Sequence, residues 1–106
     1  MTEAVRSFLD YLTSERGLSA NTIYAYRSDL YQFEGFAEGN LAMGLTNQTW
    51  KSIDLALLTK YSLYLQGRGY VPTTRARKIA SVRSLFNFLI EEGILLEDPT
   101  ESLVSP

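Results

Sequence analysis

The sequence of 106 residues contains neither cysteine nor histidine. Without cysteine the chain can form no disulfide and no thiolate metal site, which fits a cytosolic protein. Without histidine it lacks the commonest metal ligand, the usual general base and every Ser-His-Asp or Cys-His arrangement. A glycine-rich phosphate loop is also absent. We therefore expect no metal, no cofactor and no catalytic residue, although a site made of carboxylates alone stays open in principle.

Long apolar runs are absent as well. No stretch reaches the eighteen consecutive apolar residues that a membrane-spanning helix needs, and the N-terminus lacks the basic and then apolar pattern of a signal peptide. Apolar residues nevertheless make up 45% of the sequence, enough for one core. These features predict a single cytoplasmic domain without a membrane partner.

Acidic residues are missing from one long segment. Between Asp54 and Glu91 there is none, while six of the ten lysines and arginines lie there. The net charge of the chain is only −2, so the rest of the chain is strongly acidic, notably near the C-terminus. Because a surface charged on one side steers a polyanion to that side, this distribution matters more than the total.

A short phrase occurs twice and divides the chain into two similar halves. Arg16-Gly17 and Arg68-Gly69 each follow one amphipathic stretch and open another. Gly17 suits the left-handed residue that ends a helix, and Ser19 can cap the next one. Apolar residues recur at helical spacing in four stretches, and no alternating strand pattern persists. We predict an all-α, four- to five-helix bundle built from two helical hairpins, with helices near 2–15, 19–38, 54–66 and 72–92.

The segments between and after these helices carry their own expectations. Gly39 should end the second helix, and residues 39–52 should form a loop that Trp50 and Ile53 pin to the core. Asp98-Pro99 predicts a fifth, short helix through about residue 104. Residues 105–106 resemble the start of a linker. The domain is therefore expected to cover 1–104.

The fourth helix has an apolar back and a small, polar, cationic front. On a helical wheel Val82, Phe86 and Leu89 share one side, while Arg77 and Asn87 lie on the other. Arginine and asparagine are side chains that hydrogen-bond base edges and phosphates. The second helix has a similar front, and threonines in the first turns of both helices can meet a phosphate. The candidate DNA-binding residues are Thr22, Tyr24, Arg27, Ser28, Thr74, Arg75, Arg77, Lys78, Arg83 and Asn87.

Simpler interpretations compete with DNA binding. A basic stretch on a helix is most often a solvated face. Threonines at helix starts are usually caps, and Tyr24 and Tyr31 can be merely exposed. Tyr26, Tyr61 and Phe86 are most simply explained as core residues.

Taken together, these segments resemble the N-terminal, SAM-like core-binding domain of the tyrosine recombinases, the family of phage integrases and Xer-like recombinases. The segment from Thr22 through Tyr26 and Asp29-Leu30 to Phe33 is similar to a family motif of the first hairpin. The segment from Pro72 to Leu89 is similar to the second hairpin, and Glu92-Gly93-Ile94 with Asp98-Pro99 to the exit linker. The resemblance covers essentially the whole chain.

The resemblance implies a bundle that clamps one face of double-stranded DNA, with other recombinase protomers on the same DNA as partners. In this family a separate C-terminal domain carries the active site, and this chain stops where that domain would begin. No tyrosine matches the nucleophile, so the fragment is expected to be a monomeric, non-catalytic binding domain of a larger recombinase. Val71 stands where a capping serine is usual, Arg75 where an apolar residue is usual, and Asp98 where asparagine is common.

Two other functions remain open. The first is a helical protein-interaction module that mediates protomer assembly through the fourth or fifth helix. The second is a stand-alone enzyme with a carboxylate pair such as Asp54 and Glu91, which no spacing signal or partner motif supports.

Overall fold

The computed structural model describes residues 1–104, and these form an all-helical bundle without a β-strand in that range. Its four α-helices are α1 (Glu3–Ser14), α2 (Ala20–Leu41), α3 (Leu55–Gly67) and α4 (Pro72–Glu91). A short 3₁₀ turn at Trp50–Ser52 lies between α2 and α3, and another at Pro99–Ser102 lies after α4. The predicted linker at 105–106 lies outside the described residues.

The helix starts follow the capping chemistry of the sequence. Ser19 accepts a hydrogen bond from the backbone N–H of Thr22, and Asp54 accepts one from that of Leu57. Val71, where α4 begins, makes no side-chain cap, although Pro72 fits the first turn because its missing N–H needs no partner there. Asp98 caps the last 3₁₀ turn. The predicted cap at Ser19 is therefore confirmed, and Val71 supplies no side-chain cap at the position where the resemblance places a serine.

The glycines near the helix ends confirm one prediction and correct another. Gly17 and Gly69 have φ angles of 60° and 80°, the left-handed conformation that glycine adopts at least cost. Gly39 was expected to end α2, and this was wrong. The helix continues to Leu41, which packs on the core, and the left-handed residue is Ala42 with φ 56°.

Helix α4 is the centre of the bundle. It contacts α1, α2, α3 and the last 3₁₀ turn, and eight of its residues are buried. Phe86 lies between Trp50 and Phe33, with ring centroids 5.9 and 6.3 Å apart. Tyr61 is also fully buried against Phe33, so the predicted core aromatics of α3 and α4 are confirmed. Tyr26 is partly buried and packs against the same core.

The segments outside the helices also pack where the sequence predicted. Trp50 is fully buried and Ile53 is 3% exposed, so the loop before α3 is pinned to the core as expected. The predicted fifth helix is a single 3₁₀ turn of four residues, Pro99–Ser102, held by the burial of Thr100 and Leu103. Residues 1–104 therefore contain four α-helices, and the last described element is a short 3₁₀ turn.

Truncating Phe86 should cost much of the stability of the bundle. Phe86→Ala removes a fully buried ring, and such changes typically lower the free energy of unfolding by about 3–5 kcal/mol. Urea unfolding measures this value. The control is Leu96→Ala, at a side chain that is 95% exposed, where little change is expected. A loss below about 1 kcal/mol at Phe86 would contradict the assigned core.

Candidate nucleic-acid interface

A fully buried carboxylate joins α2 to α4. Asp29 accepts hydrogen bonds from Arg77 Nε and Nη2 at 3.2 and 2.7 Å, from Lys78 Nζ at 3.2 Å and from Ser81 Oγ at 2.8 Å. Each carboxylate oxygen thus receives two donors. Bonds between charged groups are stronger than neutral ones, and the two-pronged pairing with arginine also fixes geometry. Asp29 therefore holds both the spacing of the two helices and the direction of the Arg77 side chain.

Arg77 uses one edge of its guanidinium for Asp29 and turns the other outward. The hydrogen bonds that Arg77 donates to the Asp29 carboxylate raise the pKa of Arg77, which is charged at any physiological pH. Its side chain is 52% exposed, and within residues 1–104 its Nη1 atom has no hydrogen-bond partner. Two N–H groups of a fixed cation are thereby available to an external acceptor.

A groove of about 330 Å³ lies beside Arg77, between α2 and α4. Small side chains on its walls let a ligand backbone approach closely, and Thr22 brings a hydroxyl into it. Thr22 is exposed in the first turn of α2, where its Oγ1 lies 3.0 Å from Ser19 Oγ. The groove is lined by Asn21, Thr22, Ala25, Tyr26, Asp29, Arg77, Ala80 and Ser81.

The other candidates on α2 are exposed but lie outside the groove. Tyr24 is 70% exposed, and Arg27 and Ser28 are exposed as well. At 100° per residue, Arg27 is about 160° around the helix from Asp29, and Ser28 about 100°. Ser28 therefore stands near the groove, whereas Tyr24 and Arg27 lie on the far side of the exposed face of α2.

The candidates at the start of α4 surround a different group, the Tyr70 side chain and backbone. Arg75 Nη1 donates to the Tyr70 carbonyl at 2.8 Å, and the Lys78 ammonium lies 5.0 Å from the Tyr70 ring centroid. Lys78 is only 6% exposed, so its charge lies in the interior. Thr74 is half-buried at the first turn. Gln32 donates to the Tyr70 hydroxyl, and this bond is the main cause that lowers the pKa of Tyr70.

Arg83 and Asn87 lie towards the C-terminal half of α4. The Arg83 guanidinium donates to the carbonyls of Thr100 and Leu103, each at 2.5 Å. Asn87 is exposed and borders a hollow of about 580 Å³ that contains four acidic side chains: Glu91, Glu97, Asp98 and Glu101. Because these acidic side chains repel anions, a surface on α4 that attracts an anion must end at this hollow.

The structure thus brings together Thr22 and Arg77 and does not bring the remaining candidates to the same groove. Sequence reasoning missed Asp29, which holds Arg77, and Ser81, which donates a hydrogen bond to Asp29. Asp29 lies three residues after Tyr26 and four before Phe33, which is the spacing of the buried stripe. A carboxylate at such a position signals a buried cation partner.

Neither a metal-binding cluster nor a membrane-spanning helix is found among the described residues. Residues 1–104 contain no group of three or more acidic, histidine or cysteine side chains placed to hold a metal ion. None of the described helices is long and apolar enough to cross a membrane.

Removing the buried carboxylate should destabilise the bundle through the charge that it leaves behind. Asp29→Asn deprives Lys78 of its anionic partner, and breaking a buried ion pair on one side typically costs about 3–5 kcal/mol. Urea unfolding of Asp29→Asn, Lys78→Met and the double variant forms a double-mutant cycle. We expect Lys78→Met to recover part of the loss caused by Asp29→Asn. Fully additive losses would show that the two side chains do not interact.

Comparison with known proteins agrees with this architecture. A family model described as "Phage integrase, N-terminal SAM-like domain" matches residues 5–93. The whole chain is 40% identical to a tyrosine recombinase XerC of Roseiflexus sp. and 42% identical to the XerC of Roseiflexus castenholzii, in each case covering 32% of the relative. A tyrosine recombinase XerD of Vibrio vulnificus is 37% identical over 96% of the chain and is likewise covered to 32%.

The chain thus spans about a third of the length of these relatives. No solved structure matches it. The family model covers most of the chain, and the matched residues 5–93 span nearly all of helices α1 to α4. The chain belongs to the phage integrase family as an N-terminal SAM-like domain.

Proposed function

We propose that this chain binds double-stranded DNA as the N-terminal clamp domain of a site-specific tyrosine recombinase. The observation that carries the proposal is the fixed guanidinium of Arg77, which is held by Asp29 and presents Nη1 beside the groove. A preorganised arginine suits a phosphate oxygen because little side-chain freedom is lost on contact. The relatives' names support the enzyme class of the parent protein.

The DNA path that fits these positions follows the exposed side of α2 and α4. Arg77 and Thr22 hold the backbone at the groove, and Ser28 lies next to them. Tyr24 and Arg27 extend the contact across α2, Thr74 and Arg75 extend it towards the start of α4, and Asn87 forms its other end. Lys78 supports the surface from within. We expect weak, largely sequence-tolerant binding, micromolar or weaker at physiological salt, because few phosphates are contacted and the chain carries net negative charge.

A salt titration tests the role of Arg77. Arg77→Gln removes one cation and keeps an amide that can still donate to Asp29. If Arg77 contacts a phosphate, binding to a labelled duplex weakens across sequences and the salt slope falls by about one. Fluorescence anisotropy between 50 and 200 mM salt measures both quantities, a range in which phosphate-driven affinity changes steeply.

Lys60→Gln and Lys51→Gln are the matched controls, since both lysines are exposed and lie outside the proposed path. Each removes the same charge, and neither should change the salt slope by as much. Equal slopes for Arg77→Gln and the parent chain would refute the proposed contact. Circular dichroism checks that all the variants are folded.

The parent recombinase would cut and rejoin DNA in a domain outside this chain. We expect no covalent protein–DNA adduct when the 106-residue chain is incubated with a nicked or intact duplex, because it offers no histidine and no matching nucleophile. Denaturing gel electrophoresis of end-labelled DNA detects such an adduct. Its appearance would place catalysis within this domain.

The second candidate function is a protein-interaction module for protomer assembly. The observation that favours it is a set of exposed apolar side chains near the C-terminal segment: Leu96 is 95% exposed, Val104 83% and Leu63 62%. Both functions are compatible on one DNA. NMR titration with a duplex separates them, since shifts confined to the acidic 91–101 segment would favour protein interaction over DNA binding by α4.

A further inference from the structure

The chain after α4 returns to the bundle along a defined path. The backbone N–H of Leu95 donates to the Leu89 carbonyl, and the Leu95 side chain is buried. Asp98 Oδ1 then accepts hydrogen bonds from both N–H and Oγ1 of Thr100, at 2.8 and 2.6 Å. Thr100 and Leu103 are 2% and 7% exposed, so the segment is fixed by packing as well.

Arg83 adds hydrogen bonds between α4 and this segment to the packing. Its Nη1 and Nη2 atoms donate to two carbonyls, those of Thr100 and Leu103, which stand at opposite ends of the terminal 3₁₀ turn. The guanidinium is planar and carries donors in a fixed fork, so it can hold two acceptors in one orientation. A lysine ammonium on its flexible stem offers no such fork.

The position of Arg83 on α4 separates it from the proposed DNA surface. Arg83 follows Arg77 by six positions, which places the two side chains about 120° apart around the helix. Arg77 turns to α2, and Arg83 turns to the terminal 3₁₀ turn that packs on α3 and α4. One continuous helix thus carries the groove residue on one side and the contact to the exit segment on another.

We infer that Arg83 is a positioning residue, which fixes the direction of the chain at Leu103 and Val104 relative to the Arg77 surface, and that it does not contact DNA. The part of this inference that concerns DNA rests on the proposed function. If the clamp domain is joined to a following domain, the direction of the chain at this point determines how that domain approaches the same duplex. The charge of Arg83 suggested a phosphate contact in the sequence. In the structure its guanidinium donates instead to two backbone carbonyls.

The absence of cysteine allows a direct test with spin labels. Ser7 on α1, Thr59 on α3 and Val104 are exposed positions that can each be changed to cysteine and labelled. The pair 7–104 reports the exit segment, and the pair 7–59 reports the bundle itself. Double electron–electron resonance gives the width of both distance distributions in the full 106-residue chain.

Arg83→Lys keeps the charge and should broaden the 7–104 distribution while the 7–59 distribution stays as in the parent. Arg83→Gln, whose shorter side chain lacks the guanidinium fork, should also broaden the 7–104 distribution. Arg16→Lys, at an exposed arginine in the first hairpin turn, is the matched control and should change neither pair. A loss of stability alone would not confine the broadening to position 104.

The same variants are titrated with duplex DNA. Arg83→Gln removes a charge and should bind within about twofold of the parent, with an unchanged salt slope, whereas a phosphate contact would reduce that slope by about one. An unchanged 7–104 distribution in Arg83→Lys, or a reduced salt slope in Arg83→Gln, would overturn the inference. Failure of all variants and of the parent to bind DNA would refute the proposed function and leave the distance test intact.

Discussion

The contact between Asp29 and three side chains of α4 determines how this bundle is assembled. A carboxylate that is fully buried must have its oxygens satisfied, and here four donors from Arg77, Lys78 and Ser81 do so. The group contains two cations and one anion, so one positive charge is left over. Because Lys78 is buried, the extra positive charge is exposed to solvent on Arg77, whose side chain is half exposed. The interaction that joins the two hairpins also creates the cationic point on their shared surface.

Helix α4 carries this arrangement because it is in contact with every other helix. Its buried arc is wide, which leaves a narrow exposed strip for a ligand. Arg77 and Asn87 belong to that strip, and the acidic hollow next to Asn87 ends it. A polyanion is attracted at one end of α4 and repelled at the other. The low net charge of the chain is thus compatible with a binding surface that is small and directional.

The sequence predicted the helices well because their signals are local. Apolar spacing identified the buried faces of α1 to α4, and the capping roles of Ser19, Asp54 and Asp98 were readable within four residues. The end of α2 was predicted wrongly because Gly39 tolerates a helix when a later residue, Leu41, gains by packing. Local propensity is overridden in such cases by tertiary contacts.

The candidate site was less accessible to sequence reasoning because its determining contacts are distant along the chain. Asp29 and Arg77 are 48 residues apart, and nothing in the charge pattern distinguishes Arg77 from Arg83 or Lys78. The charge pattern predicted only that α4 is the cationic helix. Only the packing of α4 against α2 and the terminal 3₁₀ turn shows which cation faces outward, which is interior and which holds backbone carbonyls.

The most direct measurement of the central claim is side-chain NMR of Arg77. If Asp29 fixes the guanidinium, the Nε–H resonance of Arg77 exchanges slowly with water, is rigid on the picosecond-to-nanosecond timescale, and keeps these properties when duplex DNA is added and the Nη1 protons shift. A mobile, rapidly exchanging Nε–H in the free chain would contradict the account, because Arg77 would then be an ordinary solvated cation and Asp29 would organise no surface.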